Sequence, residues 1–211
     1  MIDHLVYATP DLDATVDDFV NSTGVKPVPG GAHPGFGTRN ALVSLGGSTY
    51  LEIVGPDPEQ PAPNDPRPFG IDTLERPKLI TWCVRPYQPL TQVIERVEAA
   101  GYFPGEVVTM ARTRPDGVEL TWELTLPDLG PESGGTLPFF IDWGRSIHPS
   151  FALPGGLELM HIELRHPRAE WLRGVLKAIG GLDNVRVTEA PTPGLRAPLR
   201  KLPEPGVVTP A

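Results

Sequence analysis

The order of apolar and polar positions repeats three times along the 211-residue chain. Residues 2–8 (Ile-Asp-His-Leu-Val-Tyr-Ala) are β-branched and aromatic enough for a strand, and Thr9-Pro10-Asp11 supplies a turn and a helix-start signal. Leu12, Val16, Phe19 and Val20 then recur at helical spacing opposite Asp13, Asp17 and Asp18, and Gly24 stands where a left-handed cap would stop the helix. The same signals return at 79–84, with Pro86 and Pro89, the stripe Leu90, Val93, Ile94 and Val97, and Gly101. They return once more at 159–165, with Pro167, the stripe Trp171, Leu172, Val175, Leu176 and Ile179, and Gly180-Gly181. Copies about eighty residues apart mark an internal repeat.

Further strands follow the first two helices: 39–45 and 49–54, joined by a Gly46-Gly47 hairpin signal, and then 106–113, 118–126 and 137–143. The third copy has room for strands only near 185–188 and 195–199, so it reads as a partial module added to a pair. Two loops are long. Residues 56–77 carry seven prolines and join the first two copies, and 127–138 contain Gly134-Gly135; loops of this length serve as linkers or pocket lids. The Pro-rich stretch 202–211 reads as a loose tail.

Composition narrows the function. With 39% hydrophobic and 21% charged residues the chain is an ordinary globular one, and 27 prolines and 23 glycines disfavour long helical bundles. A net charge of −8 without a basic stripe argues against nucleic acid as a partner. Cys83, the single cysteine, excludes an internal disulfide and implies a reducing compartment, with the cytoplasm as default. No basic leader and no apolar run of membrane-spanning length is seen. Phosphate-cradling, nucleophile-elbow, Cys-x-x-Cys and dinucleotide fingerprints are all absent, so no nucleotide cofactor is expected.

Several stretches resemble the vicinal oxygen chelate superfamily, and within it the glyoxalase-like domain proteins. They are Ile2-Asp3-His4-Leu5-Val6, Gly37-Thr38-Arg39-Asn40-Ala41-Leu42, Tyr50-Leu51-Glu52-Ile53-Val54-Gly55-Pro56-Asp57-Pro58, Pro138 through Gly144, and His148-Pro149-Ser150. The resemblance implies an α+β fold of paired βαβββ modules forming cupped mixed sheets, here at 1–76 and 77–154, with a partial βαβ module at 155–201 and the tail at 202–211. It also implies one divalent metal (Zn, Mn, Fe, Ni or Mg) held by the first and last strands of each module. His4 and Glu52 match the first-module ligand positions. In the second module, Trp82 (or Thr81 or Cys83, with a slip) and Ile141 stand where ligands would be, and Arg39 occupies a position that often carries histidine in this subgroup.

Two ligands are too few for a catalytic ion, so the third would come from Asp142, Glu123 or His148. Alternation places Tyr50, Glu52 and Val54 on one strand face. The competing view makes His4 a satisfied strand histidine and pairs Glu52 with Arg39. Glu123 shares a face with Glu119 and Thr121, either solvated or turned to the cup beside Asp142. Trp82 and Trp143 are the expected aromatic walls, and Arg39, Glu123 and His148 the expected substrate contacts. Glu52 and Asp142 are the expected catalytic carboxylates. Two functions follow: a metal-assisted lyase, isomerase or dioxygenase acting on a small molecule with vicinal oxygens, or a metal-free small-molecule binding or drug-sequestering protein. A homodimer would cover the exposed sheet edges.

Overall fold

The computed structural model describes residues 1–114, 117–126 and 133–202; the expected tail beyond Leu202 and part of the 127–138 loop lie outside the described residues. The first module runs β1 (Ile2–Ala8), α1 (Leu12–Thr23), β2 (Val28–His33), β3 (Thr38–Ser44) and β4 (Tyr50–Pro56). The second repeats it with β5 (Lys78–Val84), α2 (Leu90–Ala99), β6 (Val107–Thr113), β7 (Glu119–Thr125) and β8 (Phe139–Asp142). Both share one eight-stranded sheet, ordered β2-β3-β4-β1-β5-β8-β7-β6. Each module's first strand is parallel to its last, and β1 and β5 meet antiparallel at the centre. The α+β, cupped-sheet expectation therefore holds.

The third copy adds β9 (Leu157–Leu159), β10 (Ile162–His166), α3 (Ala169–Ile179), β11 (Val185–Glu189), β12 (Gly194–Arg196) and β13 (Leu199–Lys201). They form a separate three-stranded sheet, β11-β10-β12, and a β9-β13 pair. α3 docks on the end of α2, where Trp171 Nε1 donates to the Ala100 carbonyl at 3.0 Å and Arg96 Nε to that of Ala178 at 2.9 Å.

Local chemistry accounts for the helices. Asp11 caps α1, its carboxylate accepting from the Ala14 N–H, and Gly24 ends it at φ 73°, a conformation that a side chain disfavours. The sheet then sorts its residues by alternation. Leu5, Leu51, Ile53, Trp82, Val84 and Phe140 face the helices and form the larger core with them. Val6, Val54, Cys83, Trp122, Phe139 and Ile141 belong to a second apolar cluster on the concave face.

One strand, β2, has no counterpart in the expected elements. Pro29, Gly30 and Gly31 resemble a turn, yet they form an edge strand whose register slips between Pro29 and Gly31. That edge approaches β6, and the buried Arg112 of β6 donates through Nη1 to the Gly30 carbonyl, joining the sheet's two ends across the cup. A Cβ on Gly30 would lie 2.1 Å from Asn40 Oδ1 and 2.7 Å from Arg112 Nη1, both held in place.

Gly30→Ala is accordingly expected to lower unfolding free energy by about 1–3 kcal/mol, the usual scale of overpacking. Gly174→Ala, on the exposed side of α3 with nothing within 4 Å, should raise it by up to about 1 kcal/mol. Urea denaturation of both variants checks this; equal effects would show that the seam is not tightly packed.

Candidate active site

The cup is polar on one side only. His4 of β1, Tyr50 and Glu52 of β4, and Thr38 and Asn40 of β3 reach it by alternation, and His33 joins them from β2. The opposite wall is largely apolar, with Met110, Trp122, Leu124, Phe139, Ile141 and Trp143 and, at the end of β7, Thr125. Arg112 lines the seam between the two.

Below the polar wall lies Asp3. Strict alternation would turn it away from His4, but the β1–β5 register slips between Ile2 and His4, and this irregularity brings both side chains into one cluster. Asp3 is fully buried. Its Oδ1 accepts from His4 Nδ1 at 2.7 Å, and its Oδ2 accepts from His148 Nε2 at 2.9 Å and Trp143 Nε1 at 3.2 Å. Burial alone would raise its pKa. The hydrogen bonds from His148 and His4 outweigh that effect and hold the carboxyl well below the usual carboxylate range.

An ionised carboxylate can only accept, so His4 carries a proton on Nδ1 and His148 one on Nε2. The Ser150 N–H, 3.3 Å from His148 Nδ1, independently requires that nitrogen to accept. With that single ring proton, His4 turns a bare Nε2 toward the cup. It lies 3.7 Å from Glu52 Oε2, too far for a hydrogen bond. The other Glu52 oxygen, Oε1, accepts from Asn40 Nδ2 at 2.6 Å. That amide also lies 3.3 Å from His33 Nε2, while His33 Nδ1 lies 3.0 Å from Thr38 Oγ1. Burial pushes the His33 pKa down, with the Glu52 carboxylate pulling the other way. Tyr50 stacks on His4 with ring centroids 4.8 Å apart, and burial, reinforced by Asp3 and Glu52, raises its pKa so that the hydroxyl keeps its proton.

The residues expected at the site separate into two groups. His4, Glu52 and Trp143 line the cup, and His148 lies under it, edge-on to Tyr50 and Trp143. The others lie elsewhere. Trp82 is fully buried on the helix side of the sheet, because Cys83 takes the concave face opposite His4. Arg39 also faces outward and donates to Asp13 at 2.8 Å, not to Glu52. Glu123 is exposed on the outer side of β7, and Asp142 is exposed with Oδ1 accepting from the Gly144 N–H at 2.8 Å. Asp3, His33, Asn40 and Arg112 were not among the expected site residues. Asn40 alone had a usable signal, since alternation from Leu42 places it on the cup face next to Glu52.

These donors do not fit a tightly held divalent ion. His4 Nε2 and Glu52 Oε2 converge, and His33 Nε2 lies 3.8 Å from Glu52 Oε1, but that nitrogen already meets the Asn40 amide at 3.3 Å, and a catalytic metal needs about three protein ligands free to converge. His148 is committed to Asp3, Asp142 and Glu123 point away, and the facing wall is apolar. Among the described residues, the group of three close enough to share an ion is Asp3, His4 and Cys83. There both Asp3 oxygens are already hydrogen-bonded, and burial raises the Cys83 pKa so that the thiol stays protonated.

A family model described as a glyoxalase-like domain matches residues 2–180. The chain belongs to that family, and its fold is that of the vicinal oxygen chelate proteins. Among solved structures it resembles a hypothetical protein from Staphylococcus aureus, with a TM-score of 0.64 and 14% identity over 92% of this chain and 87% of that one. A methylmalonyl-CoA epimerase from Mycobacterium tuberculosis aligns with a TM-score of 0.44 and 19% identity, over 68% and 88% of the two chains. A Streptomyces coelicolor methylmalonyl-CoA epimerase in complex with 2-nitronate-propionyl-CoA gives 0.42 and 20%, over 71% and 98%. No curated protein matches the chain. Among the described residues, no helix is long and apolar enough to cross a membrane.

With its folded pKa below the unfolded value of about 3.9, Asp3 contributes stability that is present above that pH and is lost as the pH falls toward the folded value. Asp3→Asn is expected to cost about 3–5 kcal/mol at neutral pH, the scale for breaking a buried ionic cluster. It should also flatten the loss of stability on acidification below about pH 4. Urea midpoints at stepped pH report both; parallel acid profiles would assign the acid sensitivity to other carboxylates.

Proposed function

We propose that the protein is an isomerase or lyase acting on a small molecule that carries a hydroxyl next to a carbonyl. The observation that carries this reading is the pair Glu52 Oε2 and His4 Nε2, held 3.7 Å apart with no hydrogen bond between them, on the polar wall of a cup whose facing wall is largely apolar. Neither has a proton to give the other, so the pair is complete only when a ligand supplies one. Glu52 Oε2 takes the proton from the carbon beside the carbonyl while His4 Nε2 accepts the neighbouring hydroxyl. The electron pair moves onto the carbonyl oxygen, and the protonated Tyr50 hydroxyl and the Arg112 guanidinium supply donors for it. Return of that proton to the former carbonyl carbon, with the hydroxyl proton passed by His4 Nε2 to the former carbonyl oxygen, completes an isomerisation; loss of a leaving group from the neighbouring carbon completes an elimination.

The residues play distinct parts. Asn40 fixes one Glu52 oxygen and leaves the other open. Asp3 keeps the His4 proton on the far side of the ring. The apolar wall excludes water and strengthens every charge inside. No step is routed through a metal, because the donor set falls short of one. Sequestration without reaction is the second reading, favoured by the largely apolar face that β7 and β8 present.

Incubation with a panel of aromatic and aliphatic α-hydroxyketones in D2O, followed by proton NMR, tests the proposal. One or more members should exchange the C–H beside the carbonyl, before and after chelator treatment. Glu52→Gln should slow that exchange by about 10²–10⁴-fold. Binding of panel members with no exchange at any position would leave sequestration as the function.

A further inference from the structure

We infer that the ligand site extends past Phe69 into the hollow outside the cup, so that the ligand is elongated, with a hydroxyl-bearing head and an apolar tail. The inference rests on the reading of the cup as a small-molecule site. The cup itself offers about 60 Å³, far short of the roughly 300–1,000 Å³ of sites that bury an organic ligand. Directly outside is an open hollow of about 550 Å³ whose rim includes Pro63 and Pro66. The two spaces share one partition: Phe36, Pro68, Phe69 and Leu126 line both.

Phe69 is the strained member of that partition. It has φ 62° and ψ 16°, and among the described residues it is the single non-glycine at positive φ. A left-handed backbone disfavours a bulky side chain and persists where the surroundings enforce it. The surroundings are anchored on both sides. Arg67 donates through Nε to the Gly37 carbonyl at 2.9 Å and pairs with Asp72 at 2.6 Å, and Ile71 is buried in the cup's apolar cluster. Between these anchors the Phe69 ring leans on Phe139, centroids 6.2 Å apart, and Gly70 follows at φ 65°. Phe69 thus acts as a gate: swinging its ring off Phe139 joins the two spaces. The head reaches His4 Nε2 and Glu52 Oε2, and the tail passes the gate to lie on prolines.

The test is calorimetric titration of alkyl 4-hydroxybenzoates, methyl through hexyl, against the wild type, Phe69→Ala and Pro66→Asp. Wild-type affinity should rise by about fourfold per added methylene, the increment of a buried CH₂. Phe69→Ala should bind the long esters at least as tightly as the wild type. Pro66→Asp, an exposed change on the rim, should leave the methyl ester unaffected and flatten the dependence on chain length. Affinity independent of chain length, or a Pro66→Asp slope equal to the wild type's, overturns the two-chamber site while leaving the cup reading intact. A length dependence that survives while Glu52→Gln leaves C–H exchange in the α-hydroxyketone panel unchanged overturns the proposed chemistry and leaves the extended site standing. No binding by any ester to any of the proteins overturns both.

Discussion

A carboxylate buried away from water is tolerated only where fixed donors replace its hydration, and in this fold Asp3 is that carboxylate. Its donors come from both modules. His4 follows it in β1, while Trp143 and His148 come from the end of the second module, about 140 residues later. Satisfying Asp3 draws residues 143–150 beneath the first module's strands and closes the floor of the cup. It also decides which nitrogen of His4 meets the lumen. The fold's central ionic constraint and the chemistry of the site are therefore one arrangement, and charge-assisted bonds of this kind are short enough to set ring orientation as well as energy.

The pseudo-symmetric scaffold carries an asymmetric site. Glu52 in β4 is matched across the cup by Ile141 in β8, and the wall facing His33 and Asn40 is made of Met110, Trp122 and Leu124. One module supplies most of the titratable side chains of the cup and the other most of its apolar surface. Arg112 is the exception, a buried cation whose pKa is lowered by desolvation against the pull of Tyr50 and Glu52. It spans the seam that holds the two sheet ends together, so the cup's closure and its electrostatics depend on the same side chain.

The repeat was legible because three helices each carry an unbroken apolar stripe and a glycine stop, signals that local chemistry fixes. The first-module site was half legible: period-two alternation put Glu52 on the concave face, and the family resemblance pointed to His4. Asp3 was hidden by a register slip, which no local pattern encodes, and His33 by an edge strand that reads as a turn. In the second module the pattern misled for a different reason. β5 and β8 are apolar on both faces, as strands buried on both sides are. Nothing in Leu79 through Val84 or Phe139 through Ile141 distinguishes cup from helix side. Trp82 and Asp142 accordingly read as cup residues although they lie away from it, whereas the alternation of β7 already separates Glu123 from Trp122 and Leu124.

The central claim is that Asp3 holds His4 with its proton on Nδ1 and a bare Nε2 facing Glu52. Long-range proton–nitrogen correlation spectra of ¹⁵N-histidine-labelled protein at neutral pH read this directly. The account predicts opposite tautomers for the two rings on Asp3, Nδ1–H for His4 and Nε2–H for His148. A His4 ring protonated on Nε2, or on both nitrogens, would contradict it.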